Sequence, residues 1–353
     1  MYNLLNNKQL DFKIIMQKGV SLKDIAQKVG VSTALVSYVL NNTRENRTNK
    51  NTAQKIRDAA IQLNYKVNQV AKSLKTNKTS TIGLIVSDIS NPFSASLARI
   101  IENESEKYNY TTIFGSSDED INKFEKLVNT FINRKVDGLI ISPPSKSESL
   151  IKNLLQQGIP FVLLDRHFPE IKTSYISLDN YTASFEAVQH LIDTGRKSIG
   201  MITYQSDLFH LQERKKGYTA ALKKNNIFFE KSWLKQVDIR NNHTAIENAI
   251  KELLSAVPSI DAVLFGSNII AMHCLKYINS LSLKVPDDLA IVSFDQAEML
   301  DIFYSPVTYI KQPLEEIGQL AIKALLETIK NATAITEIKL KAELVIQQSS
   351  EAK

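Results

Sequence analysis

From Leu22 to Leu63 the apolar positions of the chain repeat with a helical period. LKDIAQKV puts Leu22, Ile25, Ala26 and Val29 on one face, and Gly30, free to take positive φ, breaks the pattern. Ser32 suits the N-cap of a second helix, TALVSYVL, in which Leu35, Val36, Val39 and Leu40 resume the spacing. Ala26, Gly30 and Val36 fall where a helix-turn-helix needs a small contact, a left-handed corner and an apolar plug. Any small helical bundle shares that two-helix pattern and remains the alternative at this point. A third helix is expected from about Lys50 to Leu63 with Ile56, Ala59, Ala60 and Leu63 inward, after a solvated loop, NNTRENRTNK.

After Thr79 the period changes. TIGLIV, YTTIF, DGLII, PFVLL, SYISL, SIGMIT, AVLFGS and LAIVSF are short β-rich runs with helical stretches between them. Alternation of this kind predicts parallel sheets covered by helices on both faces, and the length suits two such sheets. The fold class expected is therefore multidomain: an all-α domain with a helix-turn-helix pattern followed by an α/β domain of two sheets.

Composition narrows the functions. A chain of 353 residues with 43% hydrophobic residues can build two or three cores. No stretch reaches the roughly 18 uninterrupted apolar residues of a membrane helix. The first residues, MYNLLNNKQLDFKIIMQKG, have no continuous apolar core and no small-residue cleavage site, so a cytoplasmic location is expected. The single cysteine, Cys274, fits a reducing compartment. Charge is unevenly placed. Residues 1–80 hold 14 Lys or Arg against 4 Asp or Glu, whereas the whole chain carries +6, so everything after residue 80 is mildly acidic. A basic end on a near-neutral body points to a polyanion partner, with a merely lysine-rich solvated surface as the alternative.

The longer signature is collinear with a known family. SLKDIAQKVGVSTALVSYVLNN, TAQKIRDAAIQLNYKVNQVAKSLKT and TIGLIVSDISNPF, followed by KVDGLIISP, IPFVLLDR, HLIDTGRKSIGMI, ERKKGY, DAVLFGSN, KVPDDLAIVSFD and SPVTYIKQPLEEIG, resemble the lactose- and galactose-repressor family over roughly residues 20–347. The resemblance implies that TALVSYVL enters the major groove with Thr33, Ala34 and Tyr38 toward base edges, and that Ser37 and Asn41 hold phosphates. Arginine is usual in the family where Tyr38 stands, so a bidentate guanine contact is not expected there. Asn68 to Leu74 corresponds to a hinge helix that orders on DNA, with Leu74 as a minor-groove wedge. Val67 replaces the usual proline before it, and a flexible linker is the reading off DNA.

For the body, the resemblance implies the two-lobed fold of periplasmic sugar-binding proteins, with the chain crossing between lobes near Leu178–Asp179, Ile310–Gln312 and Lys339. Ligand would lie in the cleft beyond the strand ends. Phe93, Asp165, His210, Arg214, Asn268 and Asp295 are the candidate effector contacts, with Leu208 a weaker one. Carboxylates, an amide and a guanidinium suit a polyhydroxylated ligand, and a carbohydrate is the effector expected. For each residue alone, a cap or an inter-lobe ion pair is nearly as good an account. Ile269 follows Asn268 where relatives usually carry aspartate.

The implied organisation is an extension at 1–19, expected to be disordered; the DNA-binding domain at 20–66; hinge and linker at 67–79; and an effector and dimerisation domain at 80–347. Its N-lobe would be about 80–178 with 312–339, its C-lobe about 179–311 with 340–347, and residues 348–353 a tail. Met16 offers an alternative translation start. The partners expected are a pseudo-palindromic double-stranded operator, a small-molecule effector and a second copy of the chain, since two recognition helices must span two half-sites. No leucine heptads follow the last strand, so no tetramerising coiled coil is expected. No phosphate-binding or metalloprotease motif occurs, and the five histidines lack metal-ligand spacing, so neither enzyme activity, nor a cofactor, nor a metal is expected. An exported sugar-binding protein and a regulator whose sensor takes a protein partner are the competing readings.

Overall fold

The computed structural model describes residues 20–41, 48–65, 78–238 and 243–352. The chain divides into two units, Met1–Asn77 and Lys78–Lys353. Asn68 and Leu74, the expected hinge contacts, lie outside the described residues, as does most of the loop after Asn41.

The first unit is built from α1 (Leu22–Val29), α2 (Thr33–Leu40) and α3 (Lys50–Gln62). α1 opens on a capping box: the Ser21 hydroxyl accepts from the Asp24 N–H, and the Asp24 carboxylate accepts from the Ser21 N–H at 2.7 Å. It stops at Gly30, whose φ of 75° is the left-handed corner. Ser32 then caps α2, accepting from the Leu35 N–H at 3.2 Å. Ile25, Ala26, Val36, Val39, Ala53, Ile56, Ala59 and Ala60 close the core, with Leu22, Val29, Leu35 and Leu63 packed on its rim.

The second unit holds two six-stranded sheets. The first contains β1 (Thr81–Val86), β2 (Thr111–Ser116), β3 (Gly138–Ile141), β4 (Phe161–Leu164), β5 (Tyr175–Leu178) and, late in the chain, β11 (Glu337–Leu340), in the order β11-β5-β4-β3-β1-β2 and all parallel. Side-chain alternation along β1 sorts its residues: Ile82, Leu84 and Val86 face a core with α4 (Pro92–Lys107) and α12 (Leu314–Lys330). Ile85 faces the opposite core, with α5 (Ile121–Asn133) and α6 (Glu148–Gln156).

The second sheet repeats the plan with β6 (Ile199–Tyr204), β7 (Leu234–Val237), β8 (Ala262–Phe265), β9 (Ala290–Phe294), β10 (Thr308–Lys311) and β12 (Glu343–Val345), ordered β12-β10-β9-β8-β6-β7. Here α7 (Asn180–Asp193) and α8 (Phe209–Lys224) cover one face, and α9 (His243–Leu254) and α10 (Asn268–Ile278) the other. β12 pairs antiparallel with β10, one departure from the all-parallel expectation. A short helix, α11 (Glu298–Ile302), follows β9.

The chain passes between sheets after β5, after β10 and after β11, and the first and last crossings are tied together by the Asp179 N–H donating to the Leu340 carbonyl at 2.8 Å. Residues 348–350 are docked rather than trailing: the Ser349 hydroxyl donates to the Ile291 carbonyl at 2.7 Å, and Ser350 meets His190 Nε2 at 2.7 Å. Among the described residues, no helix is long and apolar enough to cross a membrane.

Candidate functional site

On α2 the buried positions, Val36 and Val39, leave a single outward face. Thr33, Ala34 and Tyr38 are exposed, and Ser37 is half-buried beside them. Positions 33, 34, 37, 38 and 41 recur at helical spacing, so the five candidate DNA contacts on α2 and at its C-cap share one surface. At its end, the Asn41 amide folds back to donate to the Ser37 carbonyl at 2.8 Å and to the Ser37 hydroxyl at 3.3 Å.

In the second unit the strand ends do most of the positioning. Asp165, just past β4, and Asp295, just past β9, have φ of 65° and 68°, and each donates its N–H to the neighbouring strand, at the Ile176 and Ile310 carbonyls. Two aspartates at equivalent places in the two lobes are thus held in a conformation that L-residues adopt only at a cost, a pattern typical of functional sites. Both carboxyls are buried. Burial pushes the Asp165 carboxyl up to about 6, against the pull of Arg166 and Arg214 and with the support of Asp295 and Glu119. Gln312, at the crossing after β10, donates to Asp295 at 2.6 Å.

Arg214 on α8 is the central cation. Its Nε donates to the Asn180 amide oxygen at 2.7 Å, its Nη1 to the Gly266 carbonyl at 2.7 Å, and its guanidinium lies 3.9 Å from the Phe294 ring centroid. Burial lowers its proton affinity, while Asp295 and Asp165 restore part of it. Asn268, at the start of α10, donates its amide to Asn91 at 3.0 Å, a contact from the second lobe to the first. Asn91 in turn caps α4 by accepting from the Phe93 N–H. His210 is buried, and burial, with Arg166 and Arg214 nearby, holds it well below the usual histidine range. His167 stacks on Tyr175 at 4.0 Å and 7°, with Phe209 edge-on at 5.0 Å; burial, then Lys339, depresses it to about 4.

The structure therefore brings Asp165, His210, Arg214, Asn268 and Asp295 to one inter-lobe cleft. Phe93 is placed differently: its ring is half-buried against the core under β1 and α4. Leu208 is buried where α8 starts and offers only apolar surface. Ile269 sits half-buried in the first turn of α10, whose cap is the Ser267 hydroxyl accepting from the Ile270 N–H. Sequence reasoning missed Glu119, Arg166, Asn180 and Gln312. Arg166 receives Glu119 on both terminal nitrogens, at 2.8 and 2.6 Å. Only Arg166 had a visible signal, its place directly after Asp165 at a strand end.

The cleft holds six buried polar atoms without a protein hydrogen bond: Asp165 Oδ1, Arg166 Nε, His167 Nδ1, His210 Nδ1, Asn268 Oδ1 and Gln312 Oε1. Such atoms cost stability unless something hydrogen-bonds to them. Their convergence from both lobes is chemistry suited to grasping a small polar molecule.

Comparison with known proteins agrees with this architecture. The family model for the periplasmic binding proteins and sugar binding domain of the LacI family matches residues 79–348, and that for bacterial regulatory proteins of the lacI family matches residues 21–68. EndR of Paenibacillus polymyxa is 32% identical over 88% of this chain and 90% of its own length. The HTH-type transcriptional repressor PurR of Aliivibrio salmonicida is 30% identical over 88% of this chain and 92% of its own. The Lac repressor dimer, crystallised on its operator with an anti-inducer, superposes with a TM-score of 0.84 at 21% identity, covering 95% of this chain and 100% of that one, a likeness of fold.

Proposed function

The chain belongs to the LacI family of bacterial regulatory proteins, DNA-binding transcription regulators rather than enzymes, and on that premise we propose that it is a cytoplasmic repressor whose grip on a specific operator is controlled by a small polyhydroxylated effector held between its two lobes. The observation that carries the effector reading is the meeting, in one buried cleft, of Asp165, Arg214, Asn268 and Asp295 with six polar atoms that no protein group satisfies.

In this reading α2 lies in the major groove. Thr33 offers a hydroxyl and a methyl, Ala34 an apolar contact to a thymine methyl, and Tyr38 a single hydrogen bond or a stack on the backbone, while Ser37 and Asn41 hold phosphates. Asn68 and Leu74 belong to the hinge, with Leu74 the wedge that opens a base step. A pseudo-palindromic operator is read by two copies of the chain, as in the Lac repressor dimer. Effector acts by favouring one arrangement of the lobes over another.

Two measurements test this. Selection of operator sequences from a randomised duplex pool, followed by anisotropy titration, is expected to give a pseudo-palindrome, and Tyr38→Arg is expected to shift preference toward guanine at one symmetric position. Unchanged preference at every position would refute the assigned groove face. Calorimetry against a panel of neutral sugars is expected to find a ligand whose binding Arg214→Ala and Asp295→Ala abolish while operator binding persists. A panel without a binder would sink the carbohydrate assignment.

A further inference from the structure

Of the six unsatisfied atoms of the cleft, three only accept, Arg166 Nε only donates, and the two histidine Nδ1 atoms do either according to tautomer. Asp165 Oδ1, Asn268 Oδ1 and Gln312 Oε1 are acceptors, all buried and all without a donor. The amide orientations are fixed by their surroundings. The Gln312 nitrogen faces the Asp295 carboxylate, which only accepts, and the Asn268 nitrogen faces an Asn91 oxygen already set as acceptor by the Phe93 N–H.

The cationic side of the cleft is partly committed. Arg214 commits Nε to Asn180 and Nη1 to the Gly266 carbonyl. His167 and His210 are kept neutral by burial and neighbouring cations. Arg166 is the group best built for a phosphate or carboxylate, and Glu119 already holds it bidentately with both partners nearly buried. Delivering Glu119 there requires Asp118 and Glu119 both to adopt positive φ, 51° and 56°. Asp118 is anchored by Ser116 and Lys123.

We infer that Glu119 is a specificity-determining residue: by occupying both terminal nitrogens of Arg166 it keeps the inter-lobe cleft for an uncharged, hydrogen-bond-donating ligand and excludes phosphorylated or carboxylated ones. The inference rests on reading the cleft as the effector site. An incoming anion meets the carboxyls of Asp165, Asp295 and Glu119 together with three acceptor oxygens that need donors. A neutral molecule rich in hydroxyls supplies those donors without opposing the charge.

The test uses the full-length protein and inorganic phosphate as probe, read by calorimetry and by thermal melting at matched ionic strength. Glu119→Ala is expected to bind phosphate at least about tenfold more tightly than the wild type, because a free guanidinium gains two charge-assisted hydrogen bonds. Adding Arg166→Met is expected to erase the gain, so phosphate held by the basic N-terminal unit cancels in the comparison. Glu119→Gln, which keeps the shape and one bond to Arg166, is expected to fall between them and covers the case in which the alanine variant does not fold. The inference is overturned if wild type binds phosphate as tightly as the variants, if a folded Glu119 variant shows no gain, or if the gain survives loss of Arg166. Should phosphate behave as expected while no neutral sugar binds wild type, the exclusion device stands and the carbohydrate reading falls.

Discussion

Asp165 carries the clearest consequence at the scale of single residues. Burial raises its carboxyl to about 6 in the folded protein, so the folded state binds its proton more tightly than the unfolded chain does. Its contribution to stability is then most favourable below the unfolded carboxyl range and declines as pH climbs through the window between that range and about 6. The displacement corresponds to at most about 3 kcal/mol at neutral pH. Asp165→Asn, which has no charge to desolvate, is expected to be more stable than wild type in urea denaturation at pH 7, with the gap closing as pH falls toward 4. A gap independent of pH would show that the carboxyl is not the titrating group. The residues that sequence exposed and those it hid differ in one respect. Asp165, Arg214, Asn268 and Asp295 each stand at the end of an apolar run or inside a recognisable local motif. Glu119 is 47 positions from Arg166, and Asn180 is 34 from Arg214, so those pairings exist only once two helices or two loops are brought together in space.

At the scale of elements, the approach of α7 to α8 governs the site. Gly217 lies three residues after Arg214, and a Cβ there would come within 2.2 Å of the Tyr181 carbonyl and 2.9 Å of Ser184 Cβ. Backbone cannot move aside as a side-chain tip can, so Gly217→Ala must push the helices apart. That separates Arg214 from Asn180 as well as loosening the core under β6. A loss of roughly 2 kcal/mol or more is expected in chemical denaturation, at the upper end of overpacking costs, together with weakened sugar binding. A variant as stable as wild type would mean that the two helices repack freely. Strands were legible mainly where they are buried, with β2 (TTIFGS) the exception, an edge strand without a fully buried position that its β-branched and aromatic residues still announced. β1, β3, β4, β8 and β9 are apolar runs, broken only by Thr81 at the start of β1 and Ser293 in β9, because helices cover both faces, whereas β7 (LKQV), β11 (EIKL) and β12 (ELV) lie at sheet edges with charged, partly exposed residues. An edge strand has only half the neighbours that impose a hydrophobic pattern, so its sequence need not announce it. β10 was visible only as part of the SPVTYIKQ motif, and its pairing with an antiparallel β12 depends on where the third crossing returns the chain.

For the whole molecule, the proposal that an effector controls operator affinity is a statement about coupling between two equilibria, and coupling is reciprocal. If effector changes the operator dissociation constant by some factor, saturating operator must change the effector dissociation constant by the same factor, typically in the range of roughly 5- to 150-fold. An inducer weakens both and a corepressor strengthens both, so the sign is read from either titration. The expected outcome is therefore two equal ratios, one from anisotropy of labelled operator with and without the sugar, the other from calorimetry of the sugar with and without operator. Arg214→Ala, which removes the cation tying Asn180 and Gly266 together in the cleft, is expected to bring the first ratio to one while leaving operator affinity in the absence of sugar unchanged. Unequal ratios in the wild type would mean that the sugar acts through some other equilibrium, such as association of subunits. In that case the cleft would be a binding site without being the switch.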